Sequence, residues 1–353
     1  MEYQRAIEEL TTKLAERGGS DIHFSAFRKP SFRISGALSL VAEYPVLSPE
    51  DSLNLLFAMI DDEEKKIFLE TKELDFSYST PAGVRFRGNA YFQKGFAAVA
   101  LRLIPARVST LEELNLPPIV ANFARKKQGF FLVVGPVGQG KSTTLAALID
   151  LINRERSEHI LTIEDPMEYI FKEDKSIIDQ REVRFDTMDF HGALRSMFRE
   201  DINVAMIGEM RDPETIATAV TAAETGHLIF STLHTNNAAQ TIDRIIDSFP
   251  AHQQGQIKIQ LAGSLLGVFS QRLLPRQSGG LVPACELLIN NSATANLIRE
   301  GRTTELNVVI ETSADQGMID MNHSLVRLVE AGEISRETAF LHSLNPKSLE
   351  RII

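Results

Sequence analysis

The 353-residue sequence contains a single cysteine, Cys285, and no long hydrophobic run. One cysteine cannot form a disulfide or a multi-cysteine zinc site within the chain, and it is most simply a small buried apolar residue. No stretch approaches the roughly 18–20 apolar residues of a membrane span, so we expect no direct membrane insertion. Residues Met1–Arg5 lead into an acidic, polar stretch, not into the apolar core of a secretory signal, which predicts a cytoplasmic protein.

The sequence also has fewer basic than acidic residues. The 37 lysines and arginines are outnumbered by 47 aspartates and glutamates, which gives a net charge of −10. Because phosphate neutralisation needs clustered lysine and arginine, a large nucleic-acid footprint is disfavoured. The cluster Arg125–Lys127 is most simply a solvated helix end, with a polyanion contact as the alternative.

The hydrophobic pattern divides the chain into four segments. Residues 1–104 mix short helical and strand patterns and predict a small α+β domain. Residues 105–118 hold three prolines and predict a linker. Residues 119–290 alternate short apolar runs with helical stretches, which is typical of a parallel sheet covered on both faces. Residues 291–353 are predicted to be mainly helical.

Two strands are predicted near the end of the first segment, at Val84–Tyr91 and Ala97–Leu103. Alternation places Arg85 and Arg87 on one face of the first strand, and Arg102 lies on the second. If the two strands pair, the three arginines share a surface. The alternative is that they form ion pairs with surface acids such as Asp75 or Glu73.

A phosphate-binding loop is the strongest chemical signal. The apolar run Phe130–Val134 leads directly into a glycine-rich turn, and a helical pattern follows Lys141. Backbone N–H groups of such a turn point at phosphates, the lysine reaches the β and γ oxygens, and the Ser142 hydroxyl ligates Mg²⁺. The predicted nucleotide-binding residues are Gly135, Pro136, Val137, Gly138, Gln139, Gly140, Lys141, Ser142 and Thr143. The sequence therefore predicts binding of ATP with Mg²⁺.

Carboxylates follow two further apolar runs. Val204–Ile207 precedes Glu209, which could join the Mg²⁺ shell or polarise water, with a helix-capping or salt-bridging acid as the alternative. Ile160–Ile163 precedes three acids, of which one could orient the attacking water; spacing alone does not choose among Glu164, Asp165 and Glu168, and loop acids that solvate a turn are the alternative.

Two histidines accompany the fourth apolar run. His227 opens this run, and His234 lies in the segment Ser231–Thr235 that follows it. A histidine at a strand end that faces a phosphate loop could sense the γ-phosphate, whereas a lone histidine in such a place is otherwise more often structural.

Taken together, these motifs closely resemble the type II/IV secretion ATPases, most nearly the pilus-retraction ATPases of the PilT type. The motifs are the phosphate loop, an Asp box at Leu161–Glu168, the segment Gln180–Val183, an acidic strand at Ile207–Asp212, and a His box from Ala222–His227 to Thr232–Thr235. Gly19–Ser25 and Asn296–Glu300 are also similar to this family, so the resemblance covers nearly the whole chain.

The resemblance implies an α/β fold with a RecA-like ATPase core, a smaller PAS-like N-terminal domain and a C-terminal helical segment. It further implies a hexameric ring that binds ATP where neighbouring subunits meet. The implied function is a motor ATPase at the cytoplasmic face of the membrane, whose domain motions turn a pilus-base membrane protein so that pilin is withdrawn. Relatives that assemble pili usually carry a longer N-terminal region and often a four-cysteine zinc site. This chain has neither feature, which favours retraction.

The resemblance also assigns residues by motif. The implied catalytic residues are Glu168, Glu209, His227, His234, Arg87 and Arg102, and Ser142 and Glu209 are the implied metal residues. Glu168 would be the catalytic carboxylate, and the two arginines would reach the γ-phosphate from the adjoining domain or subunit.

Four positions depart from the family pattern. Val137 and Gln139 stand where relatives commonly show Thr and Ser, and Ile202–Asn203 stands where Pro-Asp is common. Because the loop works through its glycines, Lys141 and Ser142, we expect ATP binding to survive. Three other functions stay open at this point: an accessory ring that works beside a paralogous pilus ATPase, a pilus-assembly or secretion ATPase of the same family, and a nucleic-acid motor, which the charge disfavours.

Overall fold

The computed structural model describes residues 2–34, 36–105 and 107–353. Met1 and Ser35, in the predicted first domain, and Ala106, in the predicted linker, lie outside the described residues. The chain divides into two compact units, Met1–Arg107 and Val108–Ile353. The narrower boundaries after residues 104, 118 and 290 stay predictions. None of the described helices combines the length and the apolar character needed to cross a bilayer.

The described residues of the first unit form a six-stranded antiparallel sheet with three helices. Its elements are α1 (Tyr3–Glu16), β1 (Gly19–Ser25), β2 (Ser31–Ile34), β3 (Ala37–Leu40), α2 (Pro49–Phe57), α3 (Asp62–Thr71), β4 (Glu73–Ser79), β5 (Arg85–Gln93) and β6 (Phe96–Ile104). Ser48 and Asp61 begin α2 and α3 with capping boxes, in which the cap side chain accepts the backbone N–H three residues on and the acid there accepts the backbone N–H of the cap. The strand order is β3-β2-β1-β6-β5-β4. Side chains such as Ile22, Phe24 and Leu101 pack from one face of this sheet into the core beneath the helices.

The opposite face of this sheet carries the predicted arginines. β5 and β6 pair antiparallel with Arg87 directly opposite Arg102, and Arg85 lies two residues before Arg87, so all three occupy one face as predicted. The acid in contact with Arg102 is Asp21 on β1, whose Oδ1 accepts a 2.9 Å hydrogen bond from the Arg102 Nε.

Asp21 was not singled out by the sequence, because its place beside Arg102 depends on the pairing of β1 with β6. Burial of this carboxyl opposes its ionisation, but hydrogen bonds from Ser20 and Arg102 outweigh burial and lower the pKa of Asp21. The suggested partners Asp75 and Glu73 lie on β4, at the edge of the sheet.

The second unit is a seven-stranded sheet with helices on both faces. Its elements are α4 (Ala121–Ala124), β7 (Gly129–Val134), α5 (Lys141–Glu155), β8 (His159–Glu164), β9 (Ile177–Glu182), α6 (Phe190–Met197), β10 (Val204–Ile207), α7 (Pro213–Glu224), β11 (Leu228–Leu233), α8 (Ala238–Asp247), α9 (Ala251–Ser264), β12 (Leu265–Pro275), β13 (Leu281–Ile289), α10 (Ser292–Glu300), α11 (Leu306–Thr312), α12 (Met321–Glu330), α13 (Arg336–His342) and α14 (Pro346–Leu349). The strand order is β13-β12-β7-β11-β10-β8-β9.

All neighbouring strands of this sheet are parallel except β12 and β13, which form an antiparallel edge. Every residue of β7, β10 and β11 is buried, because helices cover both faces of the sheet. The predicted parallel α/β core is therefore confirmed. The residues after 290 are helical, as predicted, and α12 to α14 pack against the hairpin of β12 and β13 through Leu274, Met321 and Leu325.

Cys285 lies in β13 and is buried. Burial raises the pKa of its thiol, so the thiol stays protonated and unreactive at neutral pH. The cysteine therefore behaves as the small apolar residue that the sequence analysis expected.

Candidate active site

The turn between β7 and α5 has a backbone that only glycine adopts easily. Gly135 has a φ of 149° and Gly140, the residue before α5, has a φ of 76°. A Cβ atom at Gly135 would lie 2.5 Å from the carbonyl oxygen of Gln271 on β12. Both the left-handed backbone and this close approach exclude larger residues, so the glycines of the predicted loop are required by its shape.

The loop presents a row of unbonded backbone donors. Within the described chain, the N–H groups of residues 137–143 donate no hydrogen bond, and the first bond at this end of the helix runs from the Thr144 N–H to the Gly140 carbonyl at 3.0 Å. Such donors at a helix N-terminus attract anions, and the positive end of the helix dipole adds to the attraction. The loop therefore fits the phosphates of a nucleotide.

The Lys141 side chain curls back over this loop. Its Nζ donates hydrogen bonds of 2.9 Å to the carbonyl oxygens of Gly135 and Pro136 and lies 3.3 Å from the Nδ1 of His234. Burial lowers the pKa of Lys141, while the charges of Glu209 and Glu168 act in the opposite direction. The ammonium is thus held next to the phosphate-binding donors by neutral groups that phosphate oxygens can replace.

The Asp-box acids occupy different environments. The Ser142 Oγ donates a 2.9 Å hydrogen bond to the Oε1 of Glu168, whose side chain is exposed. Glu164 is buried and accepts hydrogen bonds from the Thr162 hydroxyl at 2.8 Å and from the Glu168 N–H at 3.3 Å. Burial raises the pKa of Glu164 to about 7. Asp165 is exposed, and its carboxylate lies 3.7 Å from the guanidinium of Arg184.

Of the three acids that spacing left open, Glu168 is therefore the one whose carboxylate contacts the phosphate loop. Glu164 holds the backbone of Glu168 in place by accepting the hydrogen bond from the Glu168 N–H. The catalytic role of Glu168 stays a prediction.

Glu209 lies at the same edge, between Arg211 and His234. Its Oε2 accepts a 2.7 Å hydrogen bond from Arg211, and its Oε1 lies 3.3 Å from the Nε2 of His234. Partial burial opposes ionisation, but Arg211 and His234 outweigh burial and lower the pKa of Glu209. His234 therefore bridges Glu209 and Lys141 through its two ring nitrogens.

The oxygen donors around the loop suit a small hard cation. The Ser142 hydroxyl and the carboxylates of Glu168 and Glu209 are ligands of the kind that Mg²⁺ prefers. Both carboxylates are close enough to affect the pKa of Lys141, so they share one electrostatic environment with the loop. The residues present fit a Mg²⁺ ion that is also bound by phosphate oxygens.

The structure does not bring His227 to this site. His227 precedes β11 and accepts a hydrogen bond from the Gly129 N–H at the start of β7, whereas the loop follows the other end of β7. A six-residue strand, roughly 20 Å long, separates the two ends of the sheet. The Nδ1 of His227 lies 3.0 Å from the Ala222 carbonyl oxygen, and the His227 ring packs edge-on against Phe198. Within one chain these contacts are structural.

The sequence analysis missed two polar residues that touch α5. The hydroxyl of Tyr169 lies 2.9 Å from the Oγ1 of Thr143, and the Oε1 of Gln271 accepts a 2.7 Å hydrogen bond from the Oγ1 of Thr144. Tyr169 directly follows the Asp box, which could have marked it. No local pattern marks Gln271, because its place beside the loop depends on the pairing of β12 with β7.

Comparisons with known proteins agree with this geometry. A family model described as "Type II/IV secretion system protein" matches residues 2–350. The chain is 43% identical over 333 residues to a Pseudomonas aeruginosa protein named "Type IV pilus retractation ATPase PilT". The matched region covers 94% of this chain and 96% of that protein. The chain is 45% identical over 325 residues to a Neisseria gonorrhoeae "Twitching motility protein", with 92% and 87% covered.

A solved structure shares the fold. The crystal structure of the pilus retraction motor PilT with bound ADP superposes with a TM-score of 0.92, at 45% identity, and 98% of each chain is covered. The likeness therefore extends over both units of the chain.

Proposed function

Because this chain belongs to the type II/IV secretion system protein family, we propose that it is a motor ATPase that drives retraction of a type IV pilus. The observation that carries the proposal is the end-to-end likeness to a protein named as a pilus retraction ATPase. The site geometry supports the chemistry, because the phosphate loop, Lys141, Ser142, Glu168 and Glu209 converge at one edge of the sheet.

Binding of ATP begins with exchange of partners around Lys141. The ammonium leaves the carbonyl oxygens of Gly135 and Pro136, to which it is bonded in the structure, and donates to β- and γ-phosphate oxygens. The N–H groups of residues 137–143 bind the remaining oxygens. Ser142 and Glu209 would hold Mg²⁺, which when bound neutralises charge that builds up on the phosphates.

Glu168 is assigned the role of orienting the attacking water. In the structure its carboxylate accepts a hydrogen bond from the Ser142 hydroxyl. If Ser142 held Mg²⁺ instead, this carboxylate would be free to accept a proton from water. Glu164 keeps Glu168 close to the loop through the Glu168 N–H. His234, which directly follows β11, contacts both Glu209 and Lys141. Loss of the γ-phosphate would change these contacts and so could be sensed at the end of β11.

The ring and its partners are part of the proposal. We assign a homo-hexamer in which Arg87 and Arg102 act on ATP bound by an adjoining domain or subunit. Retraction would come from domain motions that turn a membrane protein at the pilus base, on the cytoplasmic face of the inner membrane, with a paralogous pilus ATPase as a further partner. The likeness to the retraction motor over nearly the whole chain supports these assignments.

Glu168→Gln is expected to lower ATP turnover by at least about 10²-fold while ATP still binds, because the amide cannot take up a proton. Glu209→Gln should lower turnover by a similar factor, since it removes a charged group from the metal shell. Asp165→Asn is the matched control, because this exposed acid lies in the same segment and contacts Arg184. Steady-state phosphate release measures all three variants.

Glu164→Gln tests which acid is the base. A crippled Glu164→Gln enzyme together with a mild Glu168→Gln enzyme would show that the buried acid does the chemistry and that the assignment is wrong.

Deletion of the gene in its host tests the direction of the motor. We expect twitching to be lost while surface pili persist in excess, since pili that cannot be withdrawn accumulate. Twitching zones on agar and pilus counts by electron microscopy measure the two effects. Cells without surface pili would instead identify the chain as an assembly ATPase. Normal twitching that is lost only when a paralogous ATPase is also deleted would identify an accessory subunit.

A further inference from the structure

Two glutamines fasten the phosphate loop to the neighbouring strand β12. Gln271 is only 2% exposed, and its Oε1 accepts a hydrogen bond from the hydroxyl of Thr144. Thr144 is the first residue of α5 whose backbone N–H donates a hydrogen bond in the described chain. The Nε2 of Gln271 donates to the main-chain carbonyl of Gln139. One buried amide thus joins the loop to the helix that follows it.

Gln139 makes a second connection through its own side chain. β12 pairs with β7 only as far as Ser270 and Val134. Beyond this point β12 continues to Pro275, whereas β7 ends and its backbone turns into the phosphate loop. The Leu273 N–H therefore has no strand partner on that side, and it donates a 2.7 Å hydrogen bond to the Oε1 of Gln139. The glutamine amide takes the place of the missing strand.

The reach of this side chain is particular to the residue. A serine has its hydroxyl oxygen directly on Cβ, two bonds closer to the backbone than the glutamine amide oxygen. A serine at position 139 would leave the Leu273 N–H without this acceptor. The length of the Gln139 side chain therefore matches the extension of β12 beyond β7.

We propose that Gln139 and Gln271 are positioning residues that hold the phosphate loop in its nucleotide-binding form before ATP arrives. The inference rests on the proposed function, since it concerns binding of the same substrate. Gly135, Gly138 and Gly140 all have φ values in the left-handed region, so the loop backbone is intrinsically free to adopt other shapes. Anchoring it at residue 139 reduces the conformational entropy that nucleotide binding must otherwise remove.

The first test measures nucleotide affinity. Gln271→Met and Gln139→Met remove the hydrogen bonds with little change in side-chain size, and calorimetry with ADP should show about tenfold weaker binding for each variant. The KM for ATP should rise by a similar factor while kcat stays within about twofold, because the anchors act before chemistry. Gln260→Met is the matched control, since it removes a glutamine hydrogen bond between α9 and Glu224 of α7, away from the phosphate loop.

Unchanged ADP affinity in both variants would overturn the proposal, and so would a fall in kcat at unchanged KM. If Gln271→Met fails to fold, Gln139→Met still tests the anchor, because Gln139 is only partly buried. Thr144→Val adds a third variant that breaks the bond between Gln271 and α5.

A second test does not depend on nucleotide. Hydrogen exchange of the Leu273 amide in the nucleotide-free chain should be about tenfold faster in Gln139→Met than in the unsubstituted protein. An unchanged exchange rate would show that the side chain does not hold the loop. If ADP binds to no variant and not to the unsubstituted chain, the proposed ATPase function falls, whereas the exchange rate still decides whether the anchor exists.

Discussion

Lys141→Ala is expected to reduce ATP turnover by at least about 10³-fold, because the β- and γ-phosphate charge loses its nearest counter-ion. The structure places this ammonium 2.9 Å from the carbonyl oxygens of Gly135 and Pro136, in the loop whose following N–H groups are unbonded in the described chain. Alanine cannot supply either charge or donors. Phosphate release at saturating ATP measures turnover, and calorimetry with ADP measures the loss of binding.

The fold should survive this substitution. Burial lowers the pKa of Lys141, which means that keeping the charged ammonium inside the site costs free energy. Removing it relieves that cost, and the carbonyl oxygens of Gly135 and Pro136 lose one donor each. Lys127→Ala, at an exposed lysine before β7, is the control for a general effect of lost positive charge. Turnover near the starting value in Lys141→Ala, with normal thermal unfolding, would refute the phosphate-loop assignment.

Local patterns predicted the parts of the fold in which a strand is buried or amphipathic by itself. The runs at β7, β8, β10 and β11 were found because a strand covered on both faces has few polar residues. The face shared by Arg87 and Arg102 followed from alternation along β5 and β6. The phosphate loop followed from glycines in a fixed order between a strand and a helix.

Features that depend on which strands become neighbours could not be predicted in this way. The short strand β9 mixes exposed and buried residues, and Gln271 meets the loop only because β12 pairs with β7. Proximity in sequence also misled: His227 shares a motif with His234, yet the two lie at opposite ends of β11. The choice among the Asp-box acids needed burial, which separates Glu164 from Glu168.

Arg102→Ala is the second substitution for which we expect a large effect. An arginine that meets the developing charge of phosphoryl transfer contributes roughly 10³-fold to turnover. In the structure the Arg102 side chain is 71% exposed and forms an ion pair with Asp21. Asp21 is buried, but its carboxylate also accepts a hydrogen bond from the Ser20 hydroxyl and lies 3.8 Å from Arg33. It therefore keeps partners when Arg102 exchanges it for a phosphate.

Arg33→Ala is the matched control for this substitution. Arg33 lies on the other side of the same carboxylate, with its Nε 3.8 Å from the Oδ2 of Asp21. If the arginines serve only to balance Asp21, both variants should lose a little stability and keep full turnover. If Arg102 acts on ATP, Arg102→Ala alone should lose turnover, by roughly 10³-fold, and should unfold at nearly the same temperature as the unsubstituted chain.

Mixed rings then decide whether the arginine acts across a subunit boundary. An Arg102→Ala chain and a Lys141→Ala chain are each expected to be inactive alone. When they are mixed, some junctions combine an intact phosphate loop on one subunit with an intact arginine on its neighbour, and these junctions should recover part of the ATPase activity. Mass spectrometry of chains with different tags verifies that both variants share a ring. Mixed rings without any recovered turnover would contradict action in trans, because each such ring contains complementary junctions, and they would restrict Arg102 to the nucleotide of its own chain.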